Sequence, residues 1–121
     1  MASPTAIVSP AYPYLELEFT IGAFRSPTIL AHVDTGFDGY LIISAAQTVL
    51  LGPSQFSAPW ELGDGSIVQA QEYRGDVHVS SLAVAIPARI TLLGEEYLIG
   101  RGVVDHLRMT FDHGQRLLVE T

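Results

Sequence analysis

The sequence predicts a mainly β domain with two short helices, and three observations carry that prediction. First, 11 glycines and 7 prolines in 121 residues cut the chain into short apolar runs, the punctuation of a strand-rich protein. Second, residues 14–21 alternate strictly: Leu15, Leu17, Phe19 and Ile21 fall on one face, Glu16, Glu18 and Thr20 on the other. That period of two belongs to a half-buried strand. Third, Gly63-Asp64-Gly65-Ser66 lies between two strand-like runs and reads as a hairpin tip.

The elements follow in chain order. Residues 1–13 carry Pro4, Pro10 and Pro13 and read as an extended or frayed leader, with a single domain over residues 14–121. After the first strand a turn spans residues 22–27, and residues 28–33 form a second strand that runs straight into Asp34-Thr35-Gly36. Residues 40–43 are a third, more fully apolar strand. Ser44 with Gln47 three residues later has the capping-box pattern, and Gly52-Pro53 supplies the stop, so residues 45–51 are expected to be helical. Residues 60–62 and 67–73 form the hairpin arms. Residues 77–86 and 88–93 read as two further strands separated by Pro87, and residues 102–107 as a second short helix. Residues 109–111 and 116–119 close the chain as a hairpin around Asp112-His113-Gly114.

Composition removes several classes of function. Thirteen acids against six bases give a formal charge of −7, the wrong sign for nucleic acid or an anionic membrane. The absence of cysteine excludes thiol catalysis and thiolate metal sites. No run is long and apolar enough for a membrane span, and the N-terminus lacks the charge and apolar core of a secretory signal. A soluble, cytoplasmic protein is the expectation.

The chemistry concentrates on Asp34. It sits at the end of one apolar strand and shortly before another, where a carboxyl group is fixed in place and partly desolvated, as acid–base work requires. The run Ala31-His32-Val33-Asp34-Thr35-Gly36-Phe37-Asp38-Gly39 resembles the active-site loop of the retroviral-type aspartic proteases (retropepsins) and their cellular and bacterial relatives. Leu98-Ile99-Gly100-Arg101-Gly102-Val103-Val104-Asp105-His106-Leu107 resembles the family's second motif, two apolar residues and a glycine leading into a short helix. The two motifs occur in the right order with a glycine-tipped hairpin between them, and the pattern covers residues 14–119.

The resemblance implies a retropepsin-like closed β-barrel or sandwich with a flap hairpin, working as a homodimer on an extended peptide, with no cofactor and no metal. Asp34 would be the catalytic residue, Thr35 would bond its symmetry mate, and Gly36 would let the substrate backbone pass. Asp38 would bond the substrate main chain and pair with Arg101, which with Gly100 would brace the loop. Gly63, Asp64, Gly65 and Ser66 would form the flap tip. Elementary chemistry agrees with the dimer: one aspartate is a poor catalyst of amide hydrolysis, whereas two carboxyls about 3 Å apart share a proton and divide the acid and base roles. Mildly acidic pH should favour that state. A catalytically silent dimerisation or peptide-binding module on the same fold is the alternative, since a fold outlives its chemistry.

Departures from the family pattern are specific. Phe37 stands where viral members carry a small residue, Gly39 replaces an acid, and His32 occupies a commonly apolar position two residues before Asp34, on the same strand face. His32 reads as a space-filling residue, and Asp64 as a turn former. Other motifs carry less. Residues 34–45 mimic a calcium loop but end in Ala45 rather than an acid. His32, His78, His106 and His113 lack zinc-ligand spacing. Ser80-Ser81 has no nucleophile-elbow context. Arg74-Gly75-Asp76 resembles an adhesion tripeptide but reads as a strand start, and Gly63–Gly65 is too short and acidic to cradle phosphate.

Overall fold

The computed structural model describes residues 5–47, 51–54 and 56–121. Strand β1 (Ala6–Val8) is followed by β2 (Tyr14–Ile21), β3 (Phe24–Arg25), β4 (Ile29–Val33) and β5 (Leu41–Ile43). Then come β6 (Phe56–Glu61), β7 (Ile67–Val79), β8 (Val84–Leu92) and β9 (Leu98–Ile99). Helix α1 (Arg101–Val104), β10 (Arg108–Asp112) and β11 (Arg116–Glu120) complete the chain.

Eight strands form one sheet in the order β3-β2-β4-β9-β5-β8-β7-β6, and an added β2–β7 pairing closes β2 to β7 into a barrel circuit. The alternation of β2 makes this closure work. Leu15, Leu17 and Phe19 are each at most 1% exposed and point inward, where they meet Val33, Leu41, Ile43, Val77, Ile86, Ile90 and Ile99. Each such side chain contributes about 1.5–3 kcal/mol by leaving water. Gly75 marks where β2 crosses β7: a Cβ there would lie 2.0 Å from the Thr20 carbonyl oxygen, so only glycine permits the approach. A separate sheet, β1-β11-β10, holds the two chain ends together.

Several expectations change. The leader is extended, but Ala6–Val8 pairs with Leu118–Glu120 of β11. Residues 22–27 contain β3 as well as the turn, pairing back on β2 at Thr20↔Arg25. Of the helix expected over residues 45–51, Ala45–Gln47 form a 3-10 turn and Leu51 is helical, and residues 48–50 lie outside the described residues. Residues 77–86 are not one strand. The chain reverses in a 3-10 turn at Ser80–Leu82, with Ala83 at φ 53°, and β7 pairs with β8 out to Val79↔Val84. Within the reversal Leu82 caps the core at 3% exposure, and its apolar side chain hides the turn from a hydropathy pattern. Pro87 does not break β8. It pairs with Asp76, and β5 reaches β8 only at residues 90–92, so the missing N–H falls where β8 has one neighbour.

Among the described residues, no helix is long and apolar enough to cross a membrane.

Candidate active site

The topology dictates where Asp34 lies. Strands β4 and β5 are consecutive in the chain but not neighbours, because β9 is inserted between them, parallel to β4 and antiparallel to β5. The loop over residues 34–40 must therefore bridge the end of β9, where residues 100–102 emerge. The two segments meet backbone to backbone. Asp34 N–H donates to the Ile99 carbonyl (2.9 Å), Gly100 N–H to Tyr40 (2.9 Å), Arg101 N–H to Phe37 (2.8 Å) and Gly102 N–H to Gly39 (2.9 Å). Helix α1 then begins at Arg101 with Gly100 as its N-cap, one residue earlier than the sequence predicts.

Glycine is required at this crossing. A Cβ on Gly100 would lie 2.5 Å from both the Phe37 carbonyl oxygen and the Phe37 ring, and one on Gly102 would lie 2.9 Å from the Gly39 carbonyl oxygen. Within the loop, Gly36 N–H donates to Asp34 Oδ1 (3.0 Å), and the Asp34 carbonyl accepts from Phe37 N–H (3.2 Å). The Asp34 carboxyl is thus held by its own loop and is half-buried, while Thr35, Gly36 and Asp38 are exposed. The arrangement presents one oriented carboxyl group on a loop whose backbone is tied to residues 99–102.

The expected Asp38–Arg101 pair is not formed. Among the described residues the ion pairs join Arg25 to Glu18, Arg89 to Glu72, and His113 and Arg116 to Asp112. Arg101 braces the loop through its backbone N–H instead, which the register of β9 between β4 and β5 imposes whatever its side chain does.

The hairpin tip is built as its glycines suggest. Gly65 N–H donates to the Leu62 carbonyl (2.9 Å), Leu62 N–H to the Ser66 carbonyl (2.8 Å), and Gly65 takes φ 86°. Asp64 Oδ1 accepts from Ser66 Oγ (2.6 Å) and from Ser66 N–H (2.9 Å). These bonds, the hydroxyl's first, hold the Asp64 carboxyl below its ordinary pKa. A lowered pKa in the folded state means that the ionised tip is favoured above about pH 3.9 and that the benefit is lost as pH falls through the lowered value. A carbon-13 titration of Asp64 is expected to have its midpoint below the usual aspartate value, and Ser66→Ala to move it back up.

Two aromatic residues that the sequence reading did not place in the site join the hairpin to the loop. Trp60 on β6 meets Phe37 with ring centroids 5.5 Å apart at 51°. The indole N–H donates to Glu72 Oε2 (3.3 Å), which also accepts from Thr91 Oγ1 (2.9 Å). The single tryptophan on a hairpin arm was the one available signal, but its partner lies 23 positions away and nothing local links them. His32 packs edge-on against Tyr14 at 5.4 Å and, with Tyr14, Leu30, Glu96 and Tyr97, lines a cavity of about 310 Å³. Among the described residues, no group of three or more His, Asp or Glu side chains is placed to hold a metal ion.

No protein-family model matches the sequence, and no curated protein matches it significantly. Among solved structures, the chain matches a retropepsin-like aspartic protease from Rickettsia conorii with a TM-score of 0.61 and 15% identity, covering 93% of this chain and 97% of that one. The chain has the retropepsin-like fold.

Proposed function

We propose that the protein is a homodimeric aspartic endopeptidase in which Asp34 of each protomer supplies one half of a catalytic dyad. The observation that carries this reading is the position of Asp34. It stands on a loop cross-bonded to residues 99–102 in a retropepsin-like fold, and Phe37 of that loop touches Trp60 on an arm of the glycine-tipped hairpin. A single protomer supplies one carboxyl group of this kind, and the chemistry needs two.

In the dimer the two carboxyls share one proton, because like charges about 3 Å apart do not both ionise. The ionised Asp34 takes a proton from water as the water oxygen bonds to the scissile carbonyl carbon. The protonated Asp34 gives its proton to the carbonyl oxygen. Collapse of the tetrahedral intermediate breaks the C–N bond: the departing nitrogen takes a proton from the protonated Asp34 while the ionised Asp34 takes one from a hydroxyl of the intermediate, which restores the dyad's single proton. Thr35 bonds across the two loops, Gly36 admits the substrate backbone, and Asp38 accepts from the substrate main chain. The hairpin with Gly63, Asp64, Gly65 and Ser66 at its tip closes as a flap, adding the peptide as an extra strand.

The protein is expected to digest unfolded casein at mildly acidic pH, and a statine-type peptide isostere is expected to stop it. Specific activity should also fall on dilution, because the active species is second order in protomer. Failure to digest at concentrations where sedimentation shows a dimer, or indifference to the isostere, would overturn the reading.

A further inference from the structure

We propose that Phe37 and Trp60 form a fixed aromatic wall beside Asp34, and that this wall limits the substrate residue seated against it to glycine or alanine. The inference rests on the peptidase reading above and assigns that site a substrate class.

The wall is fixed from both sides. Phe37 follows Asp34 by three residues and donates its N–H to the Asp34 carbonyl, so its ring is anchored to the catalytic loop itself. That ring lies directly over Gly39 and Gly100. A Cβ at Gly39 would come 2.3 Å from its Cζ, and one at Gly100 2.5 Å from its Cδ2, so two glycines make the floor on which the ring rests. Trp60 comes from the hairpin arm, and its indole N–H is held by Glu72. Glu72 is 5% exposed and is itself held by Thr91. Neither ring depends on the other for its position.

With centroids 5.5 Å apart, the two rings are in van der Waals contact and leave no side-chain-sized gap between loop and hairpin at this point. Both rings are half-buried, so part of each stays accessible. A peptide lying extended between loop and hairpin directs alternate side chains to opposite sides. Because the touching rings already fill the side-chain space between loop and hairpin, the residue directed at the wall is restricted to a hydrogen or a methyl group under this proposal. A larger side chain would have to displace Phe37 from its glycine floor or Trp60 from Glu72.

The test uses one peptide series carrying Gly, Ala, Leu or Phe at each position around the cleaved bond. In the wild type, one position is expected to accept only Gly and Ala. In Phe37→Ala, the ratio of kcat/KM for Leu over Ala at that position should rise at least tenfold. Trp60→Ala should relax the same position from the hairpin side, with circular dichroism verifying that each variant folds. If both variants fold and the ratio does not move, the wall is overturned while the peptidase reading stands.

Trp60 is the sole tryptophan, so its fluorescence reports binding without turnover. In Asp34→Asn, the Ala peptide should change Trp60 emission and the Leu peptide should not. In Asp34→Asn/Phe37→Ala, both should do so. That pattern together with no cleavage by the wild type would keep the wall and overturn the peptidase reading. Neither binding nor cleavage would overturn both.

Discussion

Asp34→Asn is expected to fold and to dimerise, yet to lose peptide cleavage by about 10³-fold or more. The structural half of this expectation comes from Gly36. Its N–H donates to Asp34 Oδ1 at 3.0 Å, and an amide oxygen accepts that bond as a carboxylate does, so the loop keeps its shape. The main-chain bond from residue 34 to the Ile99 carbonyl does not involve the side chain at all. The chemical half comes from the proton. In a homodimer the substitution removes both members of the dyad, and an amide neither accepts the water's proton nor holds one to give back. General acid–base terms of this kind are worth about 10²–10⁴ in rate, and a thousandfold loss corresponds to roughly 4 kcal/mol of barrier. Single-turnover digestion of a quenched-fluorescence peptide, with sedimentation of the same sample, measures both halves. Activity retained in a dimeric Asp34→Asn protein would sink the dyad.

Gly100→Ala is expected to be the most damaging small substitution near the site, costing about 3 kcal/mol or more through overpacking. The new methyl group would lie 2.5 Å from the Phe37 carbonyl oxygen and 2.6 Å from that of Gly39. Neither oxygen retreats easily, because the first accepts from Arg101 N–H and the second from Gly102 N–H. Against a typical domain stability of about 5–15 kcal/mol, this is a large fraction. Thermal unfolding should show a fall of roughly 10–20 °C. Gly63→Ala makes the control for stability, since a Cβ there meets nothing within 4 Å, and its effect should stay within about 0.5 kcal/mol. Equal melting temperatures for the two variants would mean that the loop crossing has room for a methyl group at residue 100.

Much of the candidate site was legible because its signals are local. Asp34 follows an apolar strand directly, and the hairpin tip is written as two glycines around an aspartate, followed by a serine, so short-range backbone preferences suffice to place both on their loops. The alternation of residues 14–21 needs no partner to be read. Where reading failed, the cause was non-local. The reversal at Ser80–Leu82 was masked by Leu82, whose apolar side chain caps the core from within a turn. Pro87 reads as a break in the sequence because its tolerance depends on β5 stopping short of it, which no window around residue 87 contains. The Asp38–Arg101 pair is what the family resemblance implies, whereas the register of β9 gives that bracing task to a backbone N–H.

By itself, then, the sequence determined the β class, the strand leading into Asp34, the glycine-tipped hairpin and the acidic balance of 13 to 6, because each follows from residue type and short spacing. Only the tertiary structure decided that β9 lies between β4 and β5, that Gly39, Gly100 and Gly102 permit the crossing, and that Phe37 meets Trp60. Those contacts join residues tens of positions apart, and which of them form is settled by barrel closure and close packing, which act on the whole chain at once.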